Sequence, residues 1–367
     1  MRRYLGLIFS FFLTSCGVSS YSAFYGHSGR AAYNESLQRT NNEQMLLNLV
    51  RLRYLDTPFF LNVSNITTQF TYRSSGNAEI PIPGFTSENP GVLGGELFWQ
   101  NQPTIQYTPL EGNAFASQLL SPIELSNLQH LILSGWDLSL VFRIAVQSFD
   151  SFFNAPEASS PIPHYMPKYE RFFEVTDLLR YFQRRSELQI GVNMSQCVSD
   201  KGDAEPVFDS LELRFPIQGE ESRRLAGLLS SAEKRGDTYR FRLQLGFNGK
   251  EKVGIMPRSI LSCMYYLSGG VEVPEEDILA GFVPVTRDPE GDLFDWQTIM
   301  GSLLHVRYSC CKPSCAYAAI RYKNRWFYIA EEDLASKRTF VLLLQLYNLQ
   351  SRAVKTKAPV LTLPIGG

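Results

Sequence analysis

Apolar residues recur at helical spacing over residues 30–55, where Tyr33, Leu37, Met45, Leu46, Leu49, Val50 and Leu52 mark one stripe. Asp56, Thr57 and Pro58 stop the pattern, because a proline disfavours helix in the residue before it. From residue 59 the period changes to two in "FFLNVSNITTQFTY", which predicts a strand. Residues 75–103 carry the densest Gly, Pro and Asn content of the chain and read as a long loop holding a short hairpin. "TIQYTPL" at 104–110 resumes a strand that the earlier one can pair with. Residues 121–153 predict two buried helices separated by "SGWD", the first opened by Ser121 as cap, with Pro122 at its first turn and Glu124 three positions on.

Composition shifts at residues 154–167, "NAPEASSPIPHYMP", which places a boundary there. Beyond it the pattern predicts a helix at 169–185, strands at 187–194 and 209–217, a helix at 221–235, strands at 238–247 and 252–257, and a helix at 258–271. "LHVRYS", "AYAAIRY" and "RWFYI" follow as strands, the last two joined through a tight turn at Lys323 and Asn324, and a long apolar helix at 336–350 closes the pattern. Uneven alternation with hairpins predicts an α+β fold, its sheet mixed and mainly antiparallel with packed helices, in as many as two subdomains.

The first residues carry a different signal. Arg2 and Arg3 precede an apolar run of about ten residues, far short of the roughly 20 that span a bilayer, which is the anatomy of a secretory signal peptide. Leu13, Thr14, Ser15 and Cys16 resemble the lipobox of bacterial lipoproteins, in which the Cys is acylated and becomes the first residue of the mature chain. Gly17 follows where many inner-membrane lipoproteins carry Asp, so the resemblance implies the outer membrane rather than the inner, with the body facing the periplasm. Several acyl chains on one Cys anchor firmly where a single chain is marginal. The expected organisation is a signal peptide at 1–15, a tether at 16–29, an N-terminal subdomain at 30–155 and a C-terminal α+β subdomain at 156–367.

Removing residues 1–15 takes away two of the 35 basic residues against 36 acidic ones and shifts the formal charge from −1 to −3. That near-neutral balance speaks against nucleic acid as a partner. Charged residues are 19% and aromatics 13%, which suits a Phe- and Tyr-rich core or an aromatic surface that meets other envelope proteins. On the predicted hairpin arm, Trp326, Phe327 and Tyr328 alternate faces, so one face shows aromatic surface unless the last helix covers it; this is the candidate partner surface.

Catalytic signals are sparse. The four histidines, His27, His130, His164 and His305, accompany neither a G-x-S-x-G elbow nor an H-E-x-x-H pair, and no phosphate loop is present. The expectation is therefore no metal, no cofactor and no catalytic residue. Cys197, Cys263, Cys310, Cys311 and Cys315 form an odd set whose disulfide pairing the sequence leaves open. Glu275, Glu276, Asp277, Asp288, Glu290, Asp292 and Asp295 are the densest carboxylates available to a glycan hydrolase, and they read first as solvated loop residues and helix caps.

The segments "NNEQMLLNLVRLRYLDTPFFLNVSNITTQF", "PTIQYTPLEGNAFASQLLSPI", "SGWDL", "VEVPEE" and "RWFYIAEEDLASKRTFVLLLQLYNLQ" together resemble a family of uncharacterised proteobacterial-type envelope lipoproteins. The resemblance covers most of the mature chain and implies the lipoprotein address without an activity. The function expected from the sequence is that of an outer-membrane lipoprotein acting as a structural or assembly partner. The alternative is an envelope hydrolase that cuts peptidoglycan or another glycan through paired carboxylates.

Overall fold

The computed structural model describes residues 30–77, 94–161, 166–198, 204–229, 231–246 and 253–351. The fold is α+β, with mixed, mainly antiparallel sheets and packed helices. Two compact units emerge: one of residues 1–40, 60–110 and 357–367, the other of residues 41–59 and 111–356. One boundary falls inside α1 (Arg30–Arg53), between Thr40 and Asn41. The compositional shift at 154–167 lies within the second unit.

The first unit is built on a single hairpin, β1 (Leu61–Asn77) against β2 (Gly94–Pro109), antiparallel from the Leu61–Pro109 pair to the Asn77–Gly94 pair. The predicted loop at 75–103 is thus corrected at both ends: 75–77 and 94–103 are strand, and 78–93 lies outside the described residues. One bulge interrupts the ladder, between Val63 and Asn65. Among the described residues this sheet has two strands.

In the second unit, α2 (Asn113–Leu120), α3 (Leu125–Leu133) and α4 (Leu138–Ala145) lead into β3 (Val146–Phe149) and β4 (Phe152–Phe153). Ser121 does not open α3. Its hydroxyl donates to the Ser117 carbonyl at 2.6 Å and closes α2, Pro122 bridges to Ser259, and Glu124 is the residue before α3. The second predicted helix ends at Ala145 because its last carbonyls are captured from outside. The Asn154 amide donates to the carbonyls of Arg143 and Val146, at 2.9 and 2.7 Å, and Arg258 takes the carbonyls of Arg143 and Ile144. With those acceptors occupied, Val146 turns into the sheet.

A seven-stranded sheet follows, in the order β4-β3-β9-β8-β6-β5, with β7 added beside β8. Its remaining strands are β5 (Gln189–Val198), β6 (Ala204–Pro216), β7 (Glu233–Arg235), β8 (Thr238–Leu245) and β9 (Val253–Pro257). Its one parallel pairing among the described residues is β8 with β9. Two helices, α5 (Glu170–Arg184) and α6 (Glu220–Leu228), accompany it. The helix predicted over 221–235 is shorter than expected, since Gly236 and Asp237 turn β7 back onto β8 and 233–235 are strand. Phe149 centres an aromatic core with Phe142, Phe152, Phe172 and Phe241, all at ring distances of 5.1 to 6.2 Å.

The remainder comprises α7 (Ile260–Ser268), α8 (Glu275–Leu279), α9 (Gln297–Met300) and a three-stranded sheet ordered β10-β12-β11, from β10 (Arg307–Ser309), β11 (Ala316–Tyr322) and β12 (Arg325–Ala330). Lys323 and Asn324 take φ of 44° and 64°, the left-handed pair that a two-residue hairpin turn requires. The chain then enters α10 (Leu334–Ser351). No helix among the described residues is long and apolar enough to cross a membrane.

Arg258, 1% exposed, sits between β9 and α7. Its guanidinium donates to Ser159 Oγ at 2.8 Å, to the Val146 carbonyl at 2.9 Å and to the Asn154 carbonyl, and it lies 4.0 Å from the centre of the Tyr266 ring. Replacing it by Lys keeps the charge and removes the planar fork, leaving buried carbonyls without donors. Arg258→Lys is expected to lower unfolding stability by about 3 kcal/mol or more, as read by denaturant titration. A loss within about 0.5 kcal/mol, the scale of an ordinary surface change, would show that the hub is dispensable.

Candidate functional site

The candidate partner surface on β12 divides by strand alternation. Phe327 is fully buried, edge-on to Tyr54 at 6.1 Å and to Tyr322 at 6.4 Å, so it belongs to the core and not to a surface. Trp326 and Tyr328 point to the other side and are half-buried, with Lys312 Nζ 5.5 Å from the Trp326 ring centre. β12 is the central strand of its sheet, which is why both flanks are taken.

Beside this sheet lies a cluster of rings and charges. Lys323 projects from the turn so that its ammonium lies 4.7 Å from the Tyr54 ring, 5.4 Å from Phe282 and 5.6 Å from Tyr322. Tyr54 donates to Asp277 Oδ2 at 2.6 Å; burial, then that bond, raise the phenol above its ordinary range. Arg325 pairs with Glu276, and Tyr322 donates to Asp56. Two of the predicted carboxylates, Glu276 and Asp277, are therefore committed to structural partners. Asp288 accepts from the Asp292 amide at 2.8 Å and Asp295 from the Gln297 amide at 2.9 Å, as loop and helix caps. Glu275, Glu290 and Asp292 are exposed.

A second charged site, on the exposed side of the large sheet, carries no motif in the sequence. Glu212, 5% exposed, accepts from Arg214 Nε at 2.6 Å, from Arg242 Nε at 3.1 Å and from Asn193 at 3.2 Å. Desolvation pushes its carboxyl upward, but these bonds and the Arg214 charge outweigh it and hold the group below the usual carboxylate range. With Gln189, Ile190, Gly191, Val192 and Asn193 it lines an open depression of about 260 Å³. A carboxylate fixed in its charged form by two guanidiniums makes a poor proton donor, so this arrangement suits register and polarity rather than acid catalysis.

Arg53 is a further charge, half-buried. Burial pulls it down to about 10, and Nη1 donates to the Pro284 carbonyl at 3.0 Å. The cavity it lines with Tyr265, Tyr266, Ser268 and Trp296 measures about 20 Å³, room for a single water.

His305 Nε2 meets Glu272 Oε1 at 2.5 Å while its backbone amide donates to Ser336 Oγ at 2.8 Å, so the Ser336 hydroxyl faces the peptide rather than the imidazole. His130 is exposed, and His27 and His164 lie outside the described residues. Cys263 is buried, its thiol raised to about 12 by desolvation and donating to the Ile144 carbonyl at 3.4 Å. Cys310, Cys311 and Cys315 are exposed free thiols. Among the described residues no three His, Cys, Asp or Glu side chains gather as a metal set. Cys16 lies outside the described residues.

The pairing of the strand at 59–72 with the one at 104–110 is as expected, and what the sequence missed is the extension of this β1–β2 ribbon through 73–77 and 94–103. Its register puts positions 66, 68, 70, 72 and 74 on one face with 105, 103, 101, 99 and 97, and positions 65, 67, 69, 71, 73 and 75 on the other with 106, 104, 102, 100, 98 and 96. The first set reads Ile66, Thr68, Phe70, Tyr72, Ser74 with Ile105, Pro103, Asn101, Trp99, Leu97; the second is Asn, Thr, Gln, Ser, Arg73 and Glu96 with Phe98 as its exception. The period-two signal was available in "ELFWQNQPTIQYT", masked by its Gly, Pro and Asn content. Compared with protein-family models, with curated proteins and with solved structures, the chain matches none.

Glu212→Gln removes the charge but keeps the shape. The variant is expected to lose about 1 to 3 kcal/mol at neutral pH. Because the folded-state pKa is depressed, the wild-type advantage is present above the unfolded carboxylate value and fades as pH falls through the folded one. Stability curves of the two proteins that stay parallel down through that range would contradict the assignment.

Proposed function

We propose that the chain is a lipoprotein of a bacterial envelope, acylated at Cys16 and held at the outer membrane on its periplasmic face, where it acts as an assembly partner and not as an enzyme. The address rests on the lipobox-like Leu13, Thr14, Ser15, Cys16 and the short apolar run before it. The observation that carries the assembly role is the β1–β2 ribbon. A lone two-stranded hairpin is marginally stable in water, and among the described residues this sheet has two strands, with a largely apolar set of positions on one face. The resemblance to envelope lipoproteins is part of the same proposal. The hydrolase alternative gains nothing comparable, since the carboxylates singled out for it are exposed or occupied as caps and ion pairs.

Cys16→Ser is expected to abolish incorporation of labelled palmitate and leave residues 1–15 attached. In the wild type, crosslinking in intact envelopes is expected to give adducts larger than one chain. An unlabelled wild type that fractionates as the variant does would remove the anchor, and crosslinking that yields only monomer would remove the assembly role.

A further inference from the structure

The ribbon also specifies what kind of assembly it enters. Of the residues in β1 and β2 only Arg73 and Glu96 are charged, and the register places both on the polar face. The opposite face carries no charge over its length and ends, toward the base of the hairpin, in Ile105 and Tyr107, which are 40% and 53% exposed. A largely apolar outer face alternating with a polar inner face, here with Phe98 and the charged Arg73 and Glu96 as the inner face's exceptions, is the pattern of strands in a transmembrane β-barrel.

The dimensions come within a few ångströms of such a strand. Trp99 pairs with Tyr72 near one end of the apolar run, and Tyr107 pairs with Val63 near the other. Trp99 and Tyr107 are eight positions apart on one strand, roughly 27 Å along it at about 3.4 Å per residue, which at a tilt of about 35–45° spans roughly 19–22 Å of an apolar band of about 25 Å between aromatic girdles in such barrels. The bulge matters here. Val63 and Ile66 are three apart and would alternate onto opposite faces, but the extra residue at 64 restores phase, so that both sit on the apolar side, beside Tyr107 and Ile105.

Two strands cannot stay in hydrocarbon alone, because each edge would expose backbone N–H and C=O groups with no water to satisfy them. Since β1 and β2 run antiparallel, β2 of one copy can pair with β1 of the next and continue an antiparallel up-and-down order without a break in handedness. From these observations we infer that β1–β2 is a membrane-spanning hairpin that closes into a β-barrel with the hairpins of further copies of this same chain, an inference that rests on the envelope address proposed above. The apolar face meets lipid, and the Gln- and Thr-rich face lines a water-filled lumen. At two strands per copy from β1–β2, the smallest closed barrel of about eight strands requires at least about four copies.

The test uses the full-length acylated protein, extracted in mild detergent and reconstituted into phosphatidylcholine vesicles loaded with a small self-quenching dye. The wild type is expected to run as an oligomer of at least about four copies and to release the dye. Gln69→Asp, on the lumen face, is expected to retain both properties, whereas Phe70→Asp, on the lipid face, is expected to lose the oligomer and drop release to the protein-free level. Nitroxides attached one at a time at positions 66–70 add a readout that does not depend on those variants folding. Oxygen is expected to reach even positions in vesicles and a water-soluble nickel complex odd ones. A monomeric wild type, a tight vesicle around an oligomer, or equal access at odd and even positions would each overturn the inference. A ring that inserts and leaks while carrying no acyl group would uphold it and overturn the lipid anchor instead.

Discussion

A guanidinium with no carboxylate beside it among the described residues ties several elements of the second unit together. Arg258 is surrounded by the carbonyls of Arg143, Ile144, Val146, Asn154 and Ala155, by the Ser159 hydroxyl and by the face of Tyr266. An isolated buried charge is prohibitively expensive, so the cation is tolerable only because neutral dipoles converge on it. Several of those carbonyls belong to the C-terminal end of α4, where the helix dipole favours a positive charge. The same contacts decide local conformation: they end α4, admit Val146 to the sheet, and tie the 3₁₀ turn Pro156–Ser159 to the start of α7. Phe149 and its ring neighbours can pack as they do because the backbone on either side of them is fixed in this way.

The first unit solves a different problem. Among its described residues the order comes from a long antiparallel ladder whose register shifts once, at the bulge between Val63 and Asn65. Register in such a ribbon is protected by the penalty for moving an apolar set to the wrong face. In a lone hairpin that penalty is small while the chain is in water and large once one face meets an apolar medium. The ribbon is therefore a part whose definition depends on where it is placed.

Local signals were legible in the sequence. Helical spacing with Pro58 as a stop gave α1 nearly to the residue, and Lys323 and Asn324 marked a turn that the positive φ values confirm. The α+β class followed from the mixture of periods. What failed was local text overruled by distant partners. The helix text ran on past Ala145, but Arg258, more than a hundred residues later, takes its terminal carbonyls. Glycine, proline and asparagine at Gly94, Gly95, Asn101 and Pro103 looked like loop, and pairing with β1 made them strand. Glu212 drew no notice because its partners Asn193, Arg214 and Arg242 come from three different strands. In the aromatic triplet on β12 the alternation of faces was legible, while the partners that claim Phe327 for the core, Tyr54 and Tyr322, were not.

Cys263 sets an order of events. In the folded chain its thiol lies among the buried residues of α7, where desolvation disfavours the thiolate at ordinary pH. Cys310, Cys311 and Cys315 remain on the surface, available to an oxidant. While the chain is still unfolded no such distinction exists, and any of these sulfurs can join any other. Packing of α7 thus competes with oxidation for the same atom, and the speed of folding, rather than the final geometry, determines which sulfur withdraws from the contest.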